Sequence, residues 1–470
     1  MHSDFRSEKV LSTAKAMLSE CKDSHVECGS RGGRRLPTRV IDVGNGSNQF
    51  LEHVKLHISA AQEHGEYVTL SYCWGGDQPV RLEQQTLEEF TRRIKVNGLP
   101  RTLRDAIITT RSLGFRYLWI DALCIIQDSD KDKMNEIRTM GEIYRNSELT
   151  ISASNARSVN GGLSSPYDES CIEAVSVDIS LADGQRGTIT ISVPAPNNFG
   201  SLPINKRGWT FQEYILSRRL LAFGDEVGWA CSRESYRPLI PSPIDPSVYL
   251  PPKGFNALAR IASEGDRARA WEYLVQNFCL RETSLAEDRI HAISGVISML
   301  EPEWKDECFF GLWRSRLLSD MGWVVSPIAG MKRSRRAPSW SWMCLDHKTV
   351  HTGYRVGAPD ARLSYAKIGC RRLRLEARLI PVPLEQRLAA MQPGTDIVPG
   401  IMMDLDSIEA QEETSGKDLG FLYLGEEVGT RCSIGLITTF TRGSDIVQRV
   451  GFFEVSHLQF KGPRRQVFLE

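Results

Sequence analysis

The sequence predicts an α/β protein: a parallel sheet with flanking helices, followed by a helical middle section and a β-rich C-terminal region. Three patterns carry this. Between 66 and 235, short apolar runs alternate with amphipathic helical stretches, the pattern of strands joined by helical crossovers. From 254 to 300 and from 302 to 323 the apolar residues repeat with helical period. Beyond 350 the period drops to two, as in Leu373, Leu375, Ala377 and Leu379. A chain of 470 residues exceeds one ordinary core, so several packed units are expected. The divisions read as 1–60 (an N-terminal helix and lead-in segment), 61–237 (the α/β domain), 238–349 (a Pro-rich linker and helical section) and 350–470 (the β-rich region).

Val10, Leu11, Ala14, Met17, Leu18 and Cys21 fall on one stripe of the first helix. Val40 to Val43 reads as a short strand before Gly44-Asn45-Gly46. Tyr67 to Ser71 forms the next strand, closed by the turn Tyr72-Cys73-Trp74-Gly75-Gly76-Asp77. Leu82 to Ile94 is expected to be helical, stopped by Leu99-Pro100. Thr102 and Asp105 then read as a capping box for a helix that buries Leu103, Ala106, Ile107, Thr110 and Leu113 and ends at Gly114. Tyr117 to Ile120 is a strand running into Asp121, 131–145 a helix, Leu149 to Ala153 a strand and Gly187 to Val193 another. A helical turn and a hairpin fill 207–231, and PLIPSPIDPSVYLPP from Pro238 marks a linker.

Composition narrows the classes. Lys+Arg and Asp+Glu each number 58, so the net charge is zero at pH 7 and nothing favours nucleic acid as a partner. The N-terminal helix lacks the apolar core of a signal peptide, and no apolar run approaches the roughly 20 residues of a membrane span. A soluble, intracellular, cytoplasmic protein is expected. Eleven scattered cysteines fit buried thiols in a reducing compartment. The one tight group, Cys21, His25 and Cys28, lacks the C-x2-C knuckle and a second half, so no metal site is expected from it.

The phosphate cradles G-x4-G-K-[ST] and G-x-G-x-x-G are absent. All nine histidines lie at 2, 25, 53, 57, 64, 291, 347, 351 and 457, leaving 65–290 without one. Acid–base work in that core would fall to carboxylates. Three places qualify. In the SYCWGGD turn, Ser71 opens the segment, Gly75 and Gly76 allow close backbone approach, and Trp74 offers a stacking face or a core packing element. Asp121, at the carboxyl end of a buried strand, serves a ligand or caps the next turn. Glu136 falls between Met140 and Ile143 on a wheel whose buried stripe includes Met134 and Ile137, so it points inward, where it is paired or its pKa rises. Lys133, three residues earlier, is a candidate ion-pair partner. Arg207, Trp209 and Glu213 add a cation, an aromatic and a second carboxylate.

Four blocks, YVTLSYCWGG, LPRTLRDAIITTRSLGFRYLWIDALCIIQDS, NEIRTMGEIYRNSELTISAS and RGWTFQEYILSRRLLAFG, resemble in order and spacing the blocks of the fungal heterokaryon-incompatibility (HET) domain, over roughly 67–224. LPTRVIDVG, LAEDRIHAISGV and PSWSW resemble its usual flanks. The resemblance implies a filamentous-fungal protein of nonself recognition and programmed cell death. HET domains are in turn similar to TIR domains, with a flavodoxin-like parallel sheet, some of which cleave NAD with a helix glutamate. By that analogy Glu136 takes the catalytic place, with Ser71, Trp74, Gly75, Gly76, Asp121, Arg207, Trp209 and Glu213 as ligand-binding candidates. Lys133 stands where the family usually has Trp, placing a cation beside the carboxylate. Two readings follow. One is a signalling module that acts through protein partners or self-association, with no cofactor. The other is a TIR-like NAD glycohydrolase with a nucleotide substrate.

Overall fold

The computed structural model describes residues 7–29, 33–44, 52–163, 172–180, 186–194, 202–224, 227–234, 237–238, 258–283, 285, 287–325, 333–345, 350–351, 356–365, 371–381, 401–405, 417–427, 430, 432–441, 444–455 and 463–470. The chain divides into two compact units, Met1–Arg260 and Ile261–Glu470. The Pro-rich stretch expected from Pro238 lies, apart from Pro238 itself, outside the described residues.

The first unit is built on a mixed sheet. Its strands are β1 (Arg39–Asp42), β2 (His53–Ile58), β3 (Tyr67–Ser71), β4 (Ile94–Lys95), β5 (Tyr117–Trp119), β6 (Leu149–Ser152), β9 (Arg219–Phe223), β10 (Val227–Cys231) and β11 (Arg237–Pro238); β7 (Ile172–Ser180) and β8 (Arg186–Pro194) form a separate antiparallel hairpin. Across the sheet the order is β11-β10-β9-β6-β3-β5-β1-β2-β4. The four central strands are parallel, β3 pairing with β5 and β6, and β6 with β9. Every residue of β3, β6 and β9 is buried, as expected of parallel strands covered on both faces. The outer strands β1, β2, β10 and β11 run antiparallel to their neighbours, so the N-terminal segment completes the same sheet.

Helices connect the strands: α1 (Glu8–Ser24), α2 (Leu87–Arg92), α3 (Arg101–Ser112), α4 (Asp121–Cys124), α5 (Asp130–Asn146) and α6 (Thr210–Leu216). Helix α3 buries the expected face and closes at Gly114, whose φ of 90° suits a residue without Cβ. Its start differs from the capping box. Pro100 occupies the cap, Thr102 lies inside the helix and accepts from the Gly162 amide at 2.9 Å, and Asp105 accepts from the Leu163 amide at 3.1 Å. Long-range loop contacts thus claim the two side chains that the sequence assigned to local capping. The helix expected over Leu82–Ile94 shrinks to a 3-10 turn and α2, and Ile94 pairs with Val54 in the sheet. On α5 the wheel is rotated: Glu136 is buried, Ile137 is partly exposed, and Met134 is 41% exposed.

In the second unit, α7 (Glu264–Cys279) and α8 (Asp288–Trp304) precede α9 (Leu317–Asp320). The expected helix from 302 is instead the end of α8, which carries Pro302, then short paired segments at 308–313 and α9. Buried Trp271, Trp304 and Trp313 pack edge-on or tilted in this region. The β-rich region forms an antiparallel-dominated sheet from β12 (Val356–Pro359), β13 (Arg362–Tyr365), β14 (Leu373–Pro381), β15 (Ile401–Leu405), β16 (Asp418–Glu427), β17 (Ser433–Phe440), β18 (Ile446–Val455) and β19 (Arg465–Leu469), in the order β12-β16-β17-β18-β19-β14-β13 with β15 on β18. Leu373, Leu375 and Ala377 are fully buried, as their alternation requires.

Candidate functional site

Parallel strands end on one side of a sheet, and ligands of open α/β sheets sit there. Ser71 closes β3, and Asp121 follows β5 to open α4. The turn after β3 reaches across to α4: the Trp74 indole Nε1 donates to Asp121 Oδ2 at 2.7 Å, while Oδ1 accepts from the Ala122 amide at 2.7 Å. Asp121 therefore holds the next backbone amide with one oxygen and anchors the tryptophan with the other. Gly75, at φ 70°, is packed against the following loop; an added Cβ would fall 2.2 Å from Ser158 Cβ. Gly76, at φ 124°, faces open space. Of the pair, Gly76 is the one with room for a ligand, and Gly75 is needed for packing.

The α6 segment covers the same end of β3. Thr210 donates to the carbonyls of Ile204, at 2.5 Å, and Arg207, at 2.8 Å, fixing the turn before the helix. Arg207 donates to the Tyr72 carbonyl, and Glu213 accepts from the Ser71 hydroxyl. Trp209 sits at the helix start, partly exposed, and its carbonyl accepts from the Glu213 amide at 3.4 Å. Below them Thr69, Thr150 and Ser217 continue the hydrogen-bonded column into the sheet.

Burial lifts the Glu213 carboxyl to about 7, against the pull of Arg207 and the Ser71 hydroxyl toward the ionised form. Asp121 is raised by burial too, opposed by Arg207 and by its bonds from Trp74 and Tyr72. One cation thus acts on both carboxylates, the buried Glu213 and the half-buried Asp121. Tyr72 and Tyr144, both buried, line this group; Tyr144 donates to the Leu70 carbonyl at 3.0 Å. A carboxyl near 7 holds or gives up its proton around neutral pH, which is the property a general acid or base uses.

Glu136 belongs to a different polar group. Its Oε1 lies 3.4 Å from Arg39 Nη2, and the same nitrogen lies 2.5 Å from Asp132 Oδ2. Arg39 Nε donates to the Cys124 carbonyl at 2.6 Å, and Asp132 accepts from the Ile126 amide at 2.8 Å. The cation facing Glu136 is therefore Arg39 from β1, where the sequence suggested Lys133. The reason is reach across the sheet: the β1–β5 register brings the start of β1 level with the end of β5. Burial raises the Glu136 carboxyl, with Thr38 and Arg39 opposing. Helix α4 joins the two groups, with Asp121 at its start and Cys124 at its end. Ser71, Trp74, Asp121, Arg207 and Glu213 thus come together, and Glu136 is held beside them on partners of its own.

Residues 67–213 match the family model described as Heterokaryon incompatibility protein (HET). That stretch, about a third of the chain, is similar to the HET domain. No curated protein matches the chain, and no solved structure does. All nine sequence-predicted site residues fall inside the HET match, which begins with β3 and ends on Glu213. Sequence reasoning missed Tyr72, Tyr144 and Arg39 as members of the two polar groups. Arg39 was visible only as part of a flank, since its partners lie 93 and 97 residues away.

Outside the HET match, Cys21, His25 and Cys28 do find a fourth neighbour. The end of β10 supplies Cys231, and one ligand atom from each of the four lies within 4.8 Å of the others. In the second unit, a cleft of about 490 Å³ is lined in part by Glu264, Glu272, Arg314, Arg316 and Asp320, and holds none of the sequence-predicted residues. Among the described residues, no helix is long and apolar enough to cross a membrane.

Proposed function

We propose that this protein acts in fungal nonself recognition, as a cytoplasmic HET-domain signalling and interaction module linked to programmed cell death. The HET match over 67–213 carries the reading. The four parallel strands support a flavodoxin-like, hence TIR-like, ancestry: numbered by chain position they run 2-1-3-4, the order of flavodoxin-like sheets. The three carboxylates are engaged within the protein, Asp121 by Trp74, Glu213 by Ser71 and Glu136 by Arg39. That arrangement favours a domain that works by contact with protein partners or by self-association.

The NAD-cleaving reading would need Glu136 released from Arg39 and turned to a nucleotide near Trp74 and Asp121. One experiment separates the two. The full chain is expressed from a regulated promoter in a filamentous fungus and viability is scored; in parallel, purified protein is incubated with NAD over a range of protein concentration. Loss of viability is expected, with nicotinamide release at background for both wild type and Glu136→Ala. Nicotinamide release that Glu136→Ala abolishes would replace the module reading with the enzyme. Unchanged viability would remove the cell-death role.

A further inference from the structure

We propose that Cys21, His25, Cys28 and Cys231 bind one zinc ion, a structural site that ties the N-terminal helix to the sheet. This inference stands apart from the function proposed above, since none of the four residues belongs to the HET match.

Local structure brings the first three together. Cys21 lies in the last turn of α1, His25 caps that helix in an extended conformation, and a 3-10 turn over Val26–Cys28 swings Cys28 back. The Cys28 carbonyl is held by Arg218 Nε at 2.9 Å, and Gly29, at φ 80°, lets the chain leave. The fourth residue comes from the end of β10, with its amide bonded to the Glu234 carbonyl at 2.9 Å. All four side chains are buried, with Cys21, Cys28 and Cys231 fully so.

Three thiols and an imidazole form a recognised tetrahedral zinc set. Zn–S bonds of about 2.3 Å imply sulfur–sulfur edges of about 3.8 Å, so atoms already within 4.8 Å need to close by about 1 Å or less. His25 is oriented for the task. Its Nδ1 faces Cys231 Sγ at 3.4 Å and Cys28 Sγ at 4.0 Å, while Nε2 lies 3.9 Å from the Glu234 carboxylate. A carboxylate behind a ligating imidazole is the usual second layer of a zinc site. The sulfurs have donors of their own: Arg219 Nε points at Cys21 Sγ from 3.1 Å, and the Glu234 amide at Cys231 Sγ from 3.3 Å. Cysteines buried merely as small apolar groups would not gather a histidine and a guanidinium around their sulfurs. On binding, Zn²⁺ displaces three thiol protons to solvent, leaving the four-ligand centre with one net negative charge, which the Arg219 guanidinium offsets. Four protein ligands leave no open position, so the ion holds structure and performs no chemistry.

The test uses the full chain purified under reducing conditions. Elemental analysis is expected to give one zinc per chain, and a Co²⁺ derivative to show thiolate charge-transfer bands with tetrahedral d–d absorption. Cys231→Ser and His25→Ala should each lose the metal. His25→Cys, which restores a four-thiolate set, and Cys279→Ser, a buried thiol in the second unit, should keep it. Wild-type protein that neither carries zinc nor takes up added Zn²⁺ or Co²⁺ with those bands would overturn the proposal without recourse to any variant. A disulfide among Cys21, Cys28 and Cys231 found by peptide mapping of the cytosolic protein would do the same.

Discussion

At the scale of single residues, the first unit concentrates its electrostatic tension on Glu213. The side chain is buried, bonded to Ser71 and balanced by Arg207, and its pKa stands near 7 rather than the ordinary 4.5. A carboxyl whose folded-state pKa is raised stabilises the fold below its unfolded pKa. That contribution is lost as pH rises from about 4.5 to about 7. Glu213→Gln, which keeps the shape and removes the ionisation, should flatten the stability profile in that window by on the order of 3 kcal/mol. Thermal melts of wild type and variant from pH 4.5 to 8 check this; a parallel pair of curves would show that Glu213 does not ionise with a raised pKa. Gly75 offers a second residue-level test. Its φ of 70° and the 2.2 Å approach to Ser158 predict that Gly75→Ala costs at least about 2 kcal/mol in urea unfolding. Gly76→Ala meets open space and bears only the conformational cost, so it should be the milder change. Equal losses would mean that the 157–158 loop does not pack there.

At the scale of elements, α1 shows how a helix with an ordinary amphipathic pattern becomes a specific part of the sheet. Val10, Ala14, Met17, Leu18 and Cys21 are buried, the face the sequence defined. Its last turn is then fixed by charge. Lys22 reaches Glu148 at 3.4 Å, and the same buried carboxylate lies 3.2 Å from Arg219 and 3.5 Å from Arg218 on β9 and the turn before it. A buried carboxylate among three cations is costly to strip of its partners, so these contacts fix the register of α1 on the strand ends. The cysteine cluster lies at the same junction, with Arg219 serving both groups. Helix α3 carries the complementary lesson: Thr102 and Asp105 have the spacing of a cap, yet the 158–163 loop competes for both side chains and wins.

At the scale of the whole molecule, the equal numbers of acidic and basic residues give the chain no net charge with which to draw in a polyanion. The chain is expected to pass through a heparin or duplex-DNA column at physiological salt. Retention with a steep salt dependence would reveal a concentrated basic face and reopen a nucleic-acid role. The two compact units are each built around a sheet, one mixed with a parallel centre and one mainly antiparallel. Their contrast follows from their sequences, continuous apolar runs such as YVTLS in the first and strict alternation such as Leu373, Leu375 and Ala377 in the second.

The amino-acid sequence alone determined the α/β class, most strand and helix positions, the α1 and α3 core faces, and the HET blocks, because burial pattern and turn chemistry are local properties of the chain. Tertiary structure alone decided the partners. Arg39 took the place assigned to Lys133, Cys231 joined a group that seemed to lack its second half, and Glu213 met Ser71 across 142 residues. A side chain's charge state and ligands depend on what the fold brings within a few ångströms, and that distance is not written in sequence spacing.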